Sequence, residues 1–258
     1  MLRSCGYRQM IRNINDQLDI PTIPSEIFRL ASNNFDSNNF YIRVGSNLEK
    51  MIMGINFKKI QLITQTEVVI LTLPFITFFQ YLEKLTDKTA LDSIHYRTEW
   101  KYALHLPISP PVMRNTILCE YRRFLLEDDK RVKEFQRLIH RLIALLPQEN
   151  DQHISAEQML KGICELNQKD AAVSVLSEAL TILKLNHPKW LTKHENPRLY
   201  ARYLPATSLY DVLIPHDFSQ FQLEDVLNDI DFLVKEVEFS GSAEIKNLKE
   251  IVAVSQLA

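Results

Sequence analysis

Glycine is scarce in this chain, which has only five glycines among 258 residues. Average soluble proteins contain about 7% glycine, and the five residues here stand far apart, at positions 6, 45, 54, 162 and 241. A loop that cradles phosphate needs several glycines within a few residues, because the backbone must approach the phosphate closely. The sequence therefore excludes P-loop and dinucleotide-binding sites, and no cofactor is predicted.

Cysteine is equally sparse, with three residues at positions 5, 119 and 164 and no CxxC pair. An odd number at such wide spacing supports neither a disulfide framework nor a zinc knuckle. His187 and His194 flank Trp190 but have no cysteine or third histidine nearby. We therefore predict no metal site, and we expect a reducing compartment and a cytoplasmic location.

The chain also lacks an apolar run that is long enough to cross a membrane. Its longest apolar stretch, Val68–Leu82, has 15 residues, includes several polar ones and is bracketed by Glu67 and Glu83. A membrane span needs about 20 apolar residues. Residues 1–17 carry three arginines and no apolar core of a signal sequence. We expect a buried helix over Val68–Leu82 and no membrane partner.

Charge is balanced overall but not locally. The chain has 30 Lys and Arg residues against 32 Asp and Glu residues. Residues 92–141 carry ten cations against seven acids, whereas residues 211–250 carry three cations against ten acids. This distribution predicts one surface that faces an anion and an acidic C-terminal segment.

Helical periodicity dominates the sequence from Thr66 onward. Apolar residues recur at three- and four-residue spacing, and no alternating strand pattern is longer than four residues. The pattern predicts an all-α fold with a helix-turn-helix-like unit: a long helix, a tight turn in which Thr86 caps a short helix, and a later Arg-bearing helix over 112–126. Between them, three prolines in residues 106–111 predict a non-helical linker.

We predict three segments along the chain. Residues 1–60 form a weakly structured N-terminal arm with short helices at Ser25–Ala31 and Asn47–Met53, and residues 61–147 form a helical domain. Residues 148–258 form a helical region with an acidic C-terminus. After residue 128 we predict a helix that Asp128 and Asp129 open and that carries an apolar stripe, and two amphipathic helices at 155–167 and 170–185. Ser155 and Gln158 have the spacing of a capping box. Further helices are predicted at Leu223–Val237 and Ala243–Val254.

Three sequence segments carry a resemblance to a known family. They read LEKLTDKTALD at residues 82–92, YRTEWKYALHL at residues 96–106 and LCEYRR at residues 118–123. They closely resemble the InsH-type N-terminal domain of bacterial insertion-sequence transposases, whose corresponding segments read roughly FLEGLSDRQAAD, R-x-DWKYALGL and S-x-LSEFR. Residues 39–44, NFYIRV, are similar to the family's NPYLRLRD, and the similarity extends to about residue 205.

The resemblance implies that residues 148–258 are a helical remnant of the start of the transposase catalytic region. It also implies that residues 61–147 form a helical InsH-type region that binds double-stranded DNA at the terminal repeats of the element. In the family this region precedes an RNase-H-like nuclease, in which two Asp and one Glu hold two divalent metal ions. Ser155 stands at the position of the first catalytic Asp, in a segment that favours a helix, and a hydroxyl cannot supply the anionic oxygen that such ions need. The strands with the other two carboxylates would lie beyond Ala258. We therefore expect a transposase-derived DNA-binding protein that is not an enzyme on its own.

Seven polar residues are predicted to contact DNA. Arg114, Asn115 and Thr116 are expected at the start of the helix equivalent to a recognition helix. Arg122 and Arg123 are expected along its rim, in reach of phosphates, with a salt bridge to Glu120 or Glu127 as the alternative. Arg97 and Lys101 complete the set. Trp100 is predicted to lie in the core, although an aromatic-basic-aromatic run can also stack on nucleic acid.

Two other functions remain open at this stage. The acidic helical C-terminus predicts an interaction or regulatory protein that docks a full-length transposase, a separately encoded catalytic half, or a second copy of the chain. The third reading is an enzyme whose missing carboxylates are supplied in trans.

Overall fold

The computed structural model describes residues 20–60, 62, 72–146, 154–186, 199, 202–203 and 222–239. Every regular element in these ranges is an α-helix, so the predicted all-α fold is confirmed. The helices with defined bounds are α1 (Ser25–Asn34), α2 (Phe40–Ser46), α3 (Leu48–Ile52), α4 (Phe57–Ile60), α5 (Thr72–Glu83), α6 (Asp87–Tyr96), α7 (Thr98–Ala103), α8 (Ile117–Leu126), α9 (Asp129–Ile143), α10 (Ala156–Asn186) and α11 (Leu223–Phe239). None of them is long and apolar enough to cross a bilayer.

The chain divides into two compact units, residues 1–163 and 164–258, with the boundary inside α10. The predicted segments 1–60 and 61–147 both contribute to the core of the first unit. Within the predicted N-terminal arm, residues 20–60 form α1 to α4, and the two short helices predicted there correspond to α1 and α3. Residues 1–19 lie outside the described part. Each of these helices has ten residues or fewer and buries only a few side chains, so no periodicity accumulates over a sequence window.

Helix α5 is followed by a tight turn and by α6, whereas the helix-turn-helix-like unit itself stays a prediction. Helix α5 buries every residue from 72 to 80 and ends at Lys84, which adopts a left-handed φ of 54°. The Leu85 N–H donates to the Gln80 carbonyl at 2.9 Å, as in a Schellman ending. Thr86 then accepts a hydrogen bond from the Thr89 N–H and begins α6, so the predicted cap is confirmed. A role of the α5–α6 helix pair in reading DNA stays a prediction.

Helix α7 packs closely against α2. A Cβ added at Gly45 would lie 2.5 Å from the Tyr102 carbonyl oxygen, so this position requires glycine. Helix α7 ends at His105, which also has a left-handed φ, of 53°. Its two ring nitrogens lie against the carbonyl oxygens of Pro21 and Gly45. The predicted proline-rich linker follows and is not helical.

Helix α8 begins at Ile117 rather than at the predicted Val112, so the non-helical segment continues through Thr116. Helix α9 follows the Asp128 cap, whose carboxylate accepts from the Lys130 N–H at 2.8 Å. The predicted apolar stripe of α9 is confirmed by its fully buried members, Phe135, Leu138, Ile139 and Leu142.

The prediction of two helices over 155–167 and 170–185 is wrong, because α10 is one continuous helix of 31 residues. Its polar middle contains no glycine or proline to break the backbone, and polar residues alone do not end a helix. The predicted capping box is confirmed: the Gln158 N–H donates to Ser155 Oγ at 3.1 Å.

The second unit has its own core, to which the second half of α10 and α11 contribute Leu176, Leu180, Leu183, Val226 and Ile230. Helix α11 confirms the predicted helix at Leu223–Val237, whereas the helix predicted at Ala243–Val254 lies outside the described residues.

Candidate nucleic-acid interface

A half-buried ion pair joins the ends of α5 and α7. The Glu83 carboxylate accepts hydrogen bonds from the Tyr41 hydroxyl, the Arg97 guanidinium and, at 3.3 Å, Trp100 Nε1. Arg97 also lies 5.4 Å from the Tyr41 ring centre and 5.1 Å from that of Trp100, while its Nε donates to Glu99 at 2.7 Å. Arg97 therefore has its hydrogen-bonding and stacking partners inside the protein.

The charges at this pair stabilise each other. Burial would raise the pKa of Glu83, but the hydrogen bonds from Arg97 and Tyr41 outweigh burial, and the pKa lies below its usual value. Burial, together with the hydrogen bond to the Glu83 carboxylate, raises the pKa of Tyr41. At neutral pH the cluster consists of a carboxylate, a guanidinium and a neutral phenol.

A second ion pair links α6 to α8. Arg122 donates to both carboxylate oxygens of Asp87, at 2.7 and 2.8 Å, and Gln80 Nε2 donates to the same carboxylate at 2.6 Å. Only 2% of Arg122 is exposed. The prediction that Arg122 lies on the rim in reach of phosphates is wrong, because its charge is used to fix α8 against α6.

Lys101 is also turned inward. Its side chain is buried, and Nζ donates to the Ile108 carbonyl at 2.6 Å, which ties α7 to the proline-rich linker. Burial lowers the pKa of this amine. Arg97, Lys101 and Arg122 therefore stabilise the packing of the helices, and we do not propose them as DNA contacts.

The four remaining predicted residues are exposed and lie at α8; Arg114, Asn115, Thr116 and Arg123 are called the α8 surface below. Arg114 Nη2 donates to Glu120 Oε2 at 2.9 Å, and Thr116 Oγ1 donates to Glu120 Oε1 at 2.7 Å. The structure thus brings Arg114 and Thr116 together at one carboxylate. They precede the first turn of α8 instead of belonging to it.

The sequence-based set missed three exposed cations on α9. Lys130, Lys133 and Arg137 follow one another at i, i+3 and i+7 and are all exposed. We call them the α9 face. The i, i+3 and i+7 spacing of these cations, opposite the apolar stripe, indicates an exposed basic helix face in the sequence. The predicted set does not include them because it follows the resemblance, whose quoted segments contain the cations of α7 and α8.

Trp100 lies in the core, as predicted. Its side chain has no exposed surface, and its ring centre is 5.2 Å from that of Phe79 on α5. Tyr102, two residues on, is also buried and reaches Ser46 Oγ at 3.2 Å. The aromatic pair therefore faces α2 and α5.

No group of three or more His, Cys, Asp and Glu side chains that could hold a metal ion occurs within the part of the chain that the structure covers. His187 and His194 lie outside it. Ser155 and Glu157 are at the beginning of α10, where the Ser155 hydroxyl caps the helix.

Comparison with protein-family models, with curated proteins and with solved structures gives no match for this chain. The resemblance to InsH-type domains consequently depends on the quoted sequence segments alone.

Proposed function

We propose that this protein binds double-stranded DNA at the ends of an insertion element and does not cleave or join DNA on its own. The proposal extends the resemblance to InsH-type domains. It is supported by the way in which the residues of the resembling segments meet in the folded chain.

Residues from three resembling segments converge on one carboxylate. Tyr41 comes from residues 39–44, Glu83 from 82–92, and Arg97 and Trp100 from 96–106; all contact one another around Glu83. The pattern residues in these segments therefore have a shared structural role, which a chance resemblance would not require.

The observation that carries the proposal comes from positions where this chain departs from the family pattern. The pattern has glycine at the positions of Lys84 and His105. These are the two non-glycine residues with a positive φ among those the structure describes. A left-handed helix ending favours glycine, because a Cβ makes this conformation costly. The backbone thus has the shape that the family's glycines favour.

A third departure points the same way. The pattern has phenylalanine where this chain has Tyr121, whose side chain is fully buried. Across the described residues its hydroxyl finds no hydrogen-bond partner. Burial raises the pKa of this phenol well above its usual value. The surrounding core accommodates an apolar ring and offers no partner for the added oxygen.

Under this proposal the α8 surface supplies the first set of DNA contacts. Arg123 is a phosphate contact, whereas Asn115 and Thr116 have the side chains that can read base edges. The absence of catalysis follows from Ser155, since a helix-capping hydroxyl cannot take the place of the first metal-binding carboxylate.

Fluorescence anisotropy with labelled duplexes from the DNA that flanks the gene tests the proposal. We expect saturable binding that weakens with salt, and a preference for the flanking ends over a scrambled duplex of equal length. Asn115→Ala and Thr116→Ala should each reduce that preference by roughly 1–3 kcal/mol if the side chain reads a base. With Mg²⁺ or Mn²⁺ present, the duplex should remain intact.

Failure to bind any duplex at low salt would refute the proposal and favour a protein that docks a transposase or its separately encoded catalytic half. Cleavage by highly purified protein that disappears in Glu157→Gln would refute the non-catalytic part.

A further inference from the structure

The α9 face is a row of cations that the first unit leaves in solvent. Because α-helical residues at i, i+3 and i+7 project to one side, Lys130, Lys133 and Arg137 lie along one edge of the helix over roughly 10 Å. The opposite edge of α9 is the buried apolar stripe. This packing fixes the direction in which the cations point.

A fourth cation joins the row from α4. The Glu134 carboxylate lies 4.0 Å from Lys59 Nζ and 3.2 Å from Arg137 Nη1, so the two cations are neighbours. Glu134 itself is buried and also accepts from the Asn56 N–H. The other acid within α9 is Asp129, at the start of the helix. The four cations therefore outnumber the two carboxylates of α9, and one of these carboxylates is largely covered.

The remaining arginines of α9 donate hydrogen bonds to backbone carbonyl oxygens of neighbouring segments. Arg131 lies 3.8 Å from the Phe124 ring centre and donates to the Phe124 carbonyl. Arg141 donates to the carbonyl oxygens of Lys50 and Met51 at the end of α3. The helix thus separates its cations into a structural set and an outward set.

We propose that the α9 face, together with Lys59, contacts the phosphate backbone of duplex DNA; this rests on the proposed function. Cations on flexible stems along a straight helix suit a phosphate strand, because such contacts need charge and reach rather than a fixed hydrogen-bond pattern. No large apolar side chain of α9 is exposed, so the surface lacks the anchor that protein partners usually require.

The α9 face and the α8 surface differ in residue type and therefore in what each contributes to DNA binding. The α9 face has no Asn, Gln, Ser or Thr among its three members, so it supplies affinity without sequence preference. The α8 surface has Asn115 and Thr116 and is the place where sequence preference arises. Removal of the α9 cations should therefore weaken binding to all duplexes alike, whereas removal of Asn115 or Thr116 should reduce the preference for one sequence.

A triple variant of the full chain, Lys130→Gln, Lys133→Gln and Arg137→Gln, tests the inference. The matched control changes three exposed lysines on other helices: Lys88→Gln, Lys161→Gln and Lys184→Gln. Affinity for a scrambled duplex and for the flanking duplex is measured by anisotropy over a range of salt concentrations, and thermal unfolding verifies that both variants are folded.

We expect the α9 variant to bind both duplexes at least tenfold more weakly. Its slope of log affinity against log salt should become shallower by about 2 to 3, since each phosphate contact accounts for about 0.9 of the slope. The control should keep the slope of the unmodified protein.

An unchanged slope in the α9 variant, with DNA binding intact in the unmodified protein, would overturn this inference and leave the proposed function standing. An equally large decrease in the control would also overturn it, because the effect would then reflect total charge. Binding of polyglutamate as tight as that of duplex, abolished in the same variant, would overturn it too and assign the surface to acidic polypeptides. If the unmodified protein binds no duplex, both proposals fail together.

Discussion

Three cations of the segments that resemble InsH-type domains and the cations on the outward edge of α9 lie in opposite surroundings. Arg97 and Arg122 each meet a carboxylate inside the fold, and Lys101 meets a carbonyl oxygen. Lys130 and Lys133 project into solvent. Charged residues of a sequence pattern can thus specify helix packing, while a row of exposed cations lies on α9, outside the quoted segments.

The largest expected effect concerns the aromatic centre of the pattern. Trp100→Ala should lower the free energy of unfolding by about 3–5 kcal/mol, because the ring is fully buried against Phe79. Urea denaturation measures this decrease, and Tyr96→Ala is the control, since 82% of Tyr96 is exposed. DNA binding should weaken only through unfolding. Normal stability with binding abolished would mean that Trp100 faces the nucleic acid.

The adjacent residues Arg122 and Arg123 allow a buried and an exposed arginine to be compared directly in stability and in DNA binding. Arg122→Ala leaves the largely buried Asp87 carboxylate without its bidentate partner and should cost about 3 kcal/mol. Arg123→Ala removes an exposed side chain and should change stability by less than about 0.5 kcal/mol. In DNA binding the order reverses, because Arg123 should contribute a salt slope of about 0.9. Equal destabilisation in the two variants would contradict the assignment of inner and outer roles.

A smaller effect is expected at the buried phenol. Tyr121→Phe removes a buried hydroxyl that has no hydrogen-bond partner among the residues the structure describes, and it should stabilise the protein by about 1 kcal/mol. Tyr102→Phe is the matched control: it removes a hydroxyl that contacts Ser46 and should be neutral or destabilising. Urea denaturation of both variants measures the difference. Destabilisation in Tyr121→Phe would show that the hydroxyl has a partner after all.

The smallest effect concerns the left-handed ending of α5. Lys84→Gly should raise stability by up to about 1 kcal/mol, because glycine adopts a positive φ without the clash of a Cβ. Lys88→Gly, at an exposed position within α6, should instead lower stability by about 1 kcal/mol. Stabilisation measured by thermal unfolding in the first variant alone would support the glycine-adapted backbone, and destabilisation in both would argue against it.

Local signals were sufficient for several elements. The Thr86 cap, the start of α9 at Asp128 and Asp129, the Ser155–Gln158 capping box and the apolar stripe of α9 all depend on residues within a few turns of each other. All four predictions are confirmed. The first sixty residues were harder, because α1 to α4 are short helices whose few apolar side chains are buried by distant elements. The sequence predicts two helices in place of α10, because the polar residues 167–170 interrupt the apolar spacing.

The amino-acid sequence by itself determined the helical class, the turn between α5 and α6, the non-helical linker and the core position of Trp100. Each of these depends on backbone propensity or on local apolar spacing. Only the tertiary structure decided which cations are available to a partner. Whether an arginine is exposed depends on a carboxylate that is brought close by folding, as Asp87 is to Arg122 across 35 residues of chain. Such long-range pairing leaves no local periodicity, so Arg122 and Arg123 are indistinguishable in sequence and have opposite surroundings in the fold.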